Sequence, residues 1–262
     1  MSKILIFDSG VGGISIYKAI KEQLPKADYL YLFDNKYFPY GELDPDFLIE
    51  RVCQLVGYMY KTFSPDLVVI ACNSASTLVL PALRKRFPIP FVGVVPAIKP
   101  AALQSKKKKI GLLATPGTVS RDYTQVLVNE HAQDCAIEMI GTTNLVLQAE
   151  NKLYGNPVDL EEIKKVVSTW TITETSPDIV VLGCTHFPLL IAELEESVGK
   201  HIKFIDSGMA IASRVKSILG DEYLPIAEQN SGKAFCTKIQ VQKKLTHLFN
   251  EIGLSQPLYI EI

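Results

Sequence analysis

One short pattern occurs twice in this chain and constrains its fold more than any other feature. Residues 64–72 read Ser-Pro-Asp-Leu-Val-Val-Ile-Ala-Cys, and residues 176–184 read Ser-Pro-Asp-Ile-Val-Val-Leu-Gly-Cys. Each copy is a turn signal, then a continuous apolar run rich in β-branched residues, then a cysteine. Cys72 and Cys184 stand 112 residues apart. Such a run, bounded by turn residues and apolar at consecutive positions, reads as a strand buried on both faces. Asn73-Ser74 follows the first cysteine and Thr185-His186 the second.

Other runs read the same way: Lys3–Phe7, Asp28–Phe33, Leu67–Ala71, Phe91–Val95, Ile110–Ala114, Ile179–Gly183 and Lys203–Ile205. Helical periodicity fills the intervals at Gly13–Leu24, Pro45–Thr62, Ser76–Arg86, Ser120–His131, Leu160–Thr169, Leu189–Val198 and Met209–Leu219. Alternation of strand and helix predicts an α/β chain with mainly parallel sheets flanked by helices. The repeat extends to Ile4–Gly13 and Ile110–Thr118, each a strand entering a turn. The expectation is two similar, pseudo-twofold related domains, 1–96 plus 208–262 and 97–207, with the site in the cleft between them. Val95–Pro100 reads as one crossover and Asp206-Ser207-Gly208 as the return. The weakly patterned tail from about Asp221 is expected on the first domain.

Composition narrows the class. With 47% hydrophobic and 21% charged residues, 262 residues suffice for a sizeable core. A net charge of −1 gives no electrostatic case for nucleic acid or an anionic membrane. The Lys106–Lys109 run reads as a solvated loop or helix end. No run approaches the roughly 20 apolar residues of a membrane span, and the opening MSKILIFDSG has too short an apolar run for a signal-peptide core. Five cysteines, an odd number with no C-x-x-C pair, suit free thiols in the cytoplasm. Cys184 and His186 are the only close Cys/His pair, so no metal site is expected.

In open α/β sheets ligands gather at the carboxyl ends of the strands. Asp8, Cys72, Thr115 and Cys184 all follow a strand and converge there. Two thiols at equivalent places in a duplicated unit suit chemistry that removes a proton from one face of a carbon and returns it to the other. A free thiol has a pKa of about 8.5 and needs activation. A following helix start and a nearby proton partner, Asp8 for one thiol and His186 for the other, supply it. Cys53, Cys135 and Cys236 lack this context and read as ordinary packed residues. Gly10-Val11-Gly12-Gly13 does not fit G-x-G-x-x-G, since Ser15 stands at the last position, and no P-loop is present. The turn reads as a backbone N–H cradle for a carboxylate.

With those residues in place, the chain resembles the glutamate racemase family of the cofactor-independent aspartate/glutamate racemases over nearly its whole length. Phe7–Gly13 (FDSGVGG), Phe38–Gly41 (FPYG), Val68–Ser76 (VVIACNSAS), Gly93–Pro100 (GVVPAIKP), Ala114–Thr118 (ATPGT), Leu182–Leu190 (LGCTH, then PLL) and Ile205–Gly208 (IDSG) carry the likeness. The resemblance implies Cys72 and Cys184 as the two acid/base residues, assisted by Asp8 and His186. It implies substrate contacts from Asp8, Ser9, Tyr40, Gly41, Asn73, Ser74, Thr115, Thr118, Thr185 and His186, with Glu150 at an acidic position near the site. It implies glutamate as the small-molecule substrate, no cofactor, and D-glutamate for peptidoglycan as the product's use. A homodimer is the candidate assembly, and the sequence itself does not define an oligomeric state.

Two positions depart from the family pattern. Ser74 replaces the usual Thr, keeping the hydroxyl and losing a methyl. Thr142-Thr143-Asn144 replaces a Cys-Pro segment, which touches packing rather than chemistry. The rival readings are an aspartate racemase, a one-cysteine decarboxylase and a two-domain binding module. A single methylene separates aspartate from glutamate and is worth only about 1–3 kcal/mol of discrimination.

Overall fold

The computed structural model describes residues 2–172, 174–220, 232–239 and 243–262. Two parallel sheets carry the chain. The first contains β1 (Lys3–Asp8), β2 (Asp28–Phe33), β3 (Leu67–Ile70) and β4 (Phe91–Gly93). The second contains β5 (Lys109–Ala114), β6 (Ala136–Gly141), β7 (Ile179–Gly183) and β8 (Lys203–Ile205). Late strands β9 (Lys233–Cys236) and β10 (Leu258–Tyr259) join the first sheet, giving the order β10-β9-β2-β1-β3-β4. The second sheet runs β6-β5-β7-β8, the same order as β2-β1-β3-β4. The duplicated sequence is thus a duplicated topology.

Helices connect these strands: α1 (Ile14–Gln23), α2 (Pro45–Phe63), α3 (Asn73–Arg86), α4 (Ile98–Gln104), α5 (Pro116–Ser120), α6 (Asp122–His131), α7 (Asn144–Leu153), α8 (Leu160–Val166), α9 (Ile191–Val198), α10 (Gly208–Leu219) and α11 (Lys243–Glu251). They cover both faces of each sheet, and side-chain alternation along the strands feeds both. In β1, Ile4 and Ile6 pack towards α1, α10 and α11, while Leu5 and Phe7 pack towards α2 and α3. In β7, Ile179 and Val181 face α4 and α6, while Val180 and Leu182 face α7, α8 and α9. Each fully buried aliphatic side chain contributes roughly 1.5–3 kcal/mol. An unbroken apolar strand is the form in which both faces gain this.

The Ser-Pro-Asp turns have the same job in both halves. Asp66 accepts the Lys3 backbone N–H at 2.7 Å where β1 starts. Asp178 accepts the Lys106 and Lys107 N–H groups at 2.7 and 3.1 Å and the Ser105 hydroxyl at 2.7 Å, just before β5. Each aspartate fastens the start of the neighbouring central strand, and the exposed bend Lys106–Lys108 is the solvated loop expected, tied down by its backbone N–H groups.

Several sequence expectations change. Val95–Pro100 is not only a crossover: its last residues begin α4. Strand β6 and helix α7 were missed. β6 is a half-exposed edge, so it lacks an apolar run, yet the repeat required a counterpart of β2 there. The tail expected on the first domain includes residues 221–231 and 240–242, which lie outside the described residues. Beyond them, β9 pairs with β2, and Leu245 and Phe249 of α11 enter the core beside Tyr31 and Phe33. No helix among the described residues is long and apolar enough to cross a membrane.

Candidate active site

The carboxyl ends of β1, β3, β5 and β7 bring the chemistry-bearing residues together. Asp8 is the last residue of β1, Cys72 caps α3 after β3, Thr115 caps α5 after β5, and Cys184 follows β7. Cys72 shares a strand face with Val68 and Ile70, and Cys184 shares one with Val180 and Leu182, so the two thiols keep the same phase in the repeat. Both are almost fully buried.

Their surroundings differ. The Cys184 Sγ lies 3.8 Å from His186 Nδ1, and His186 Nε2 lies 2.8 Å from Glu150 Oε1. Burial pushes the imidazole pKa down, but the hydrogen bonds to Cys184 and Glu150 outweigh it and raise it well above its ordinary value. Burial raises the Glu150 pKa, yet the His186 contact leaves it below the usual carboxylate range. This is a buried imidazolium–carboxylate pair with the Cys184 sulfur against the imidazole. Among the described residues, no cation lies beside Cys72. Its Sγ lies 3.6 Å from the Ser9 Oγ, and burial together with the Asp8 charge pushes its pKa up. Only Cys72 opens an α-helix directly. After Cys184 comes a 3₁₀ turn, Phe187–Leu190, so the helix-start assistance expected for both thiols is limited to the first.

The glycine-rich turn holds carboxylates, but they are the protein's own. Val11 N–H donates to Glu150 at 2.9 Å and Gly13 N–H to Asp8 at 2.7 Å, while the Gly12 nitrogen lies 3.1 Å from His186 Nε2. None of these glycines has a positive φ. Gly12 is needed for proximity: a Cβ there would stand 2.4 Å from His186 Nδ1.

Two buried polar atoms near Cys72 have no hydrogen-bond partner, the Asp8 Oδ1 acceptor and the Asn73 Nδ2 donor. Burial raises the Asp8 pKa. Leaving such groups unpaired is costly. Across the sheets, Ser74 Oγ meets Thr115 Oγ1 at 2.8 Å and Thr118 Oγ1 at 3.4 Å, and Thr115 and Thr118 are 3.0 Å apart. Gly41 packs on this hydroxyl cluster, where a Cβ would sit 2.8 Å from Thr115 Cβ. Thr185 is buried, and its carbonyl accepts the Ser15 hydroxyl at 2.9 Å, another tie between the two sheets. Ser9 is buried beside Cys72.

Tyr40 is buried, but its phenol is not free for a ligand. It donates to Asp34 at 2.6 Å. Asp34 and its partner Arg51 escaped the sequence analysis, although a signal existed. Arg51 falls on the apolar stripe of α2 formed by Leu48, Val52, Leu55 and Val56, and a guanidinium on such a stripe needs a buried acid.

The His186–Glu150 pair predicts a pH profile for stability. The lowered Glu150 pKa contributes stability above the ordinary carboxylate value of about 4.3 and loses it as pH falls. The raised His186 pKa contributes fully below the ordinary imidazole value of about 6.5 and loses it as pH rises through the raised value. The difference in Tm between the native protein and Glu150→Gln should therefore be largest at about pH 4.5–6.5 and shrink on both sides. Melting curves across pH 4–10 check this, and a flat difference would mean that the two groups are not an ion pair.

The model of a family described as Asp/Glu/hydantoin racemase matches residues 4–215. A glutamate racemase of Aliivibrio fischeri is 50% identical over 253 residues, 96% of this chain and 95% of that protein. One of Vibrio cholerae is 51% identical over 227 residues, covering 87% and 84%. A crystal structure of the Escherichia coli glutamate racemase, in complex with L-glutamate and the activator UDP-MurNAc-Ala, superposes with a TM-score of 0.91 at 43% identity over 98% of each chain.

Proposed function

Because the chain belongs to the Asp/Glu/hydantoin racemase family, we propose that it interconverts L-glutamate and D-glutamate by two-thiol proton transfer at Cα. The observation that carries this is the unequal pairing of two equivalent cysteines. Cys184 stands 3.8 Å from His186 Nδ1, while Cys72 lies against the Ser9 hydroxyl, where burial and the Asp8 charge raise its pKa. A two-base racemase needs opposite protonation at its two thiols.

In one direction the Cys184 thiolate takes the Cα proton, and the bonding pair stays on carbon, delocalised into the adjacent carboxylate. The Cys72 thiol then gives its proton to the opposite face. The enzyme is left with Cys184 protonated and Cys72 as thiolate, the form that accepts the product enantiomer for the return. The Asp8 Oδ1 acceptor suits the substrate ammonium, and the Asn73 Nδ2 donor suits the α-carboxylate, where preorganised donors stabilise developing charge. The Ser74, Thr115 and Thr118 hydroxyls, with the Gly41 backbone, form the other group of contacts, suited to the distal carboxylate. Ser9, Thr185, Glu150 and His186 complete the wall, and Tyr40 takes part through its backbone.

In this reading the units 1–96 plus 208–262 and 97–207 each supply one thiol. The reaction belongs in the cytoplasm, in a homodimer, with D-glutamate supplied to peptidoglycan. Sedimentation equilibrium tests the dimer.

The activity itself is tested by incubating the protein with L-glutamate in deuterium oxide with no cofactor added. Decay of optical rotation together with deuterium at Cα is expected. Turnover of aspartate in place of glutamate would move the substrate assignment, and silence with both would turn the reading towards binding alone.

A further inference from the structure

Asp34 is fully buried at the end of β2 and gathers four donors on one carboxylate. Arg51 Nε reaches Oδ2 at 3.0 Å and Nη2 reaches Oδ1 at 2.9 Å, a two-pronged contact. The Tyr40 phenol donates to Oδ2, and the Thr237 hydroxyl to Oδ1. Arg51 Nη1 also reaches the Ile262 carbonyl oxygen at 2.8 Å. The backbone N–H of Asp34 donates to the Asp8 carbonyl at 3.0 Å, tying the hub to the strand end that carries an expected site carboxylate.

A buried ion pair is weak evidence for stability, because desolvation offsets the attraction between the charges. A planar, two-pronged arginine contact does fix geometry. Here the fixed object is Tyr40. The residue after it, Gly41, is pressed against Thr115, and a Cβ on Gly117 would lie 2.4 Å from the Gly41 carbonyl oxygen. The Tyr40–Gly41 backbone therefore has no slack. Wherever Asp34 holds the phenol, the hydroxyl cluster of Ser74, Thr115 and Thr118 meets its neighbour.

We infer that Asp34 and Arg51 are positioning residues that set the Tyr40–Gly41 turn against the Thr115 hydroxyl cluster and thereby set the affinity for the substrate's distal carboxylate. This rests on the racemase reading above. Among the described residues, neither Asp34 nor Arg51 hydrogen-bonds Cys72 or Cys184.

The test is steady-state kinetics on the full chain with L- and D-glutamate, alongside the Tm shift that glutamate produces. Asp34→Asn should raise KM about tenfold, within the cost of a misplaced binding group, and leave kcat within about threefold. The glutamate-induced Tm shift should fall with it. Arg51→Lys keeps the charge, loses the second prong and should give a smaller rise. Tyr40→Phe keeps the ring in the core and carries the test if Asp34→Asn does not fold. Its effect should not add to that of Asp34→Asn, since both act on the Asp34–Tyr40 contact.

A lower Tm with KM within twofold of native in these variants would reduce the pair to structural support and overturn the inference. Additive effects of Tyr40→Phe and Asp34→Asn would also overturn it, by placing the phenol on the substrate. A native protein that leaves glutamate optically unchanged sinks the racemase reading and this inference with it. A native racemase whose variants keep KM sinks the inference alone.

Discussion

Cys72→Ala and Cys184→Ala should each lose racemisation by at least about a thousandfold, the scale of removing one member of a cooperating catalytic pair. The two losses should not be alike in kind. Each variant keeps one thiol and so keeps chemistry on one face of Cα. With a β-substituted analogue bearing a leaving group, proton removal alone suffices, because the bonding pair can expel that group. Cys72→Ala should still eliminate from one enantiomer and Cys184→Ala from the other. Because the equilibrium constant between mirror images is 1, racemisation itself must fall equally in kcat/KM from both directions in any variant. Elimination has no such constraint and reveals the handedness. Appreciable and equal residual racemisation in both variants would mean that a single base serves both faces, and the two-thiol scheme would fail.

Gly12→Ala should produce the second largest effect, a fall in kcat of about a hundredfold, as expected when a proton-transfer partner is displaced by about an ångström. The added Cβ would lie 2.4 Å from His186 Nδ1, 2.5 Å from Cγ and 2.6 Å from Cε1. The ring cannot step aside. Glu150 holds its far nitrogen, Cys184 lies against Nδ1, and the Phe38 ring packs at 5.6 Å between centroids. Either the turn after β1 lifts away or the imidazolium leaves Cys184. Overpacking of this kind costs roughly 1–3 kcal/mol of stability.

Gly57→Ala is the matched control. Gly57 lies inside α2, and a Cβ there would meet Phe87 Cζ at 3.4 Å, ordinary contact. Replacing a mid-helix glycine by alanine should add up to about 1 kcal/mol of stability with unchanged kinetics. Measuring Tm and kcat on both variants separates the two cases. A Gly12→Ala protein with native kcat would show that the His186–Cys184 contact is dispensable.

The strands most legible in the sequence were those with the most burial. β1, β3, β5 and β7 are central and covered on both faces, so their apolar runs are continuous and announce themselves. β6 carries a half-exposed mixture at the sheet edge, and β9 reads Lys-Ala-Phe-Cys with no β-branched residue. Neither has enough apolar pattern to be seen alone. The thiols were legible for another reason: duplication places them after equivalent strands, and position after a central strand is a local property.

The sequence by itself determined the α/β alternation, the repeat, the two cysteines and the strand ends at which a site would form. All of these follow from patterns within about ten residues of chain, where burial dictates residue type directly. Tertiary structure decided what each thiol faces. His186 contacts Gly12 across 174 positions and Glu150 across 36, and Asp34 meets Thr237 across 203. Such pairings depend on how two sheets and their loops dock, and no periodicity in the chain records that. The difference between Cys72 and Cys184 is therefore invisible in the repeat that reveals them. It arises because the two halves present different neighbours, an acid and a hydroxyl to one thiol and a buried imidazolium to the other.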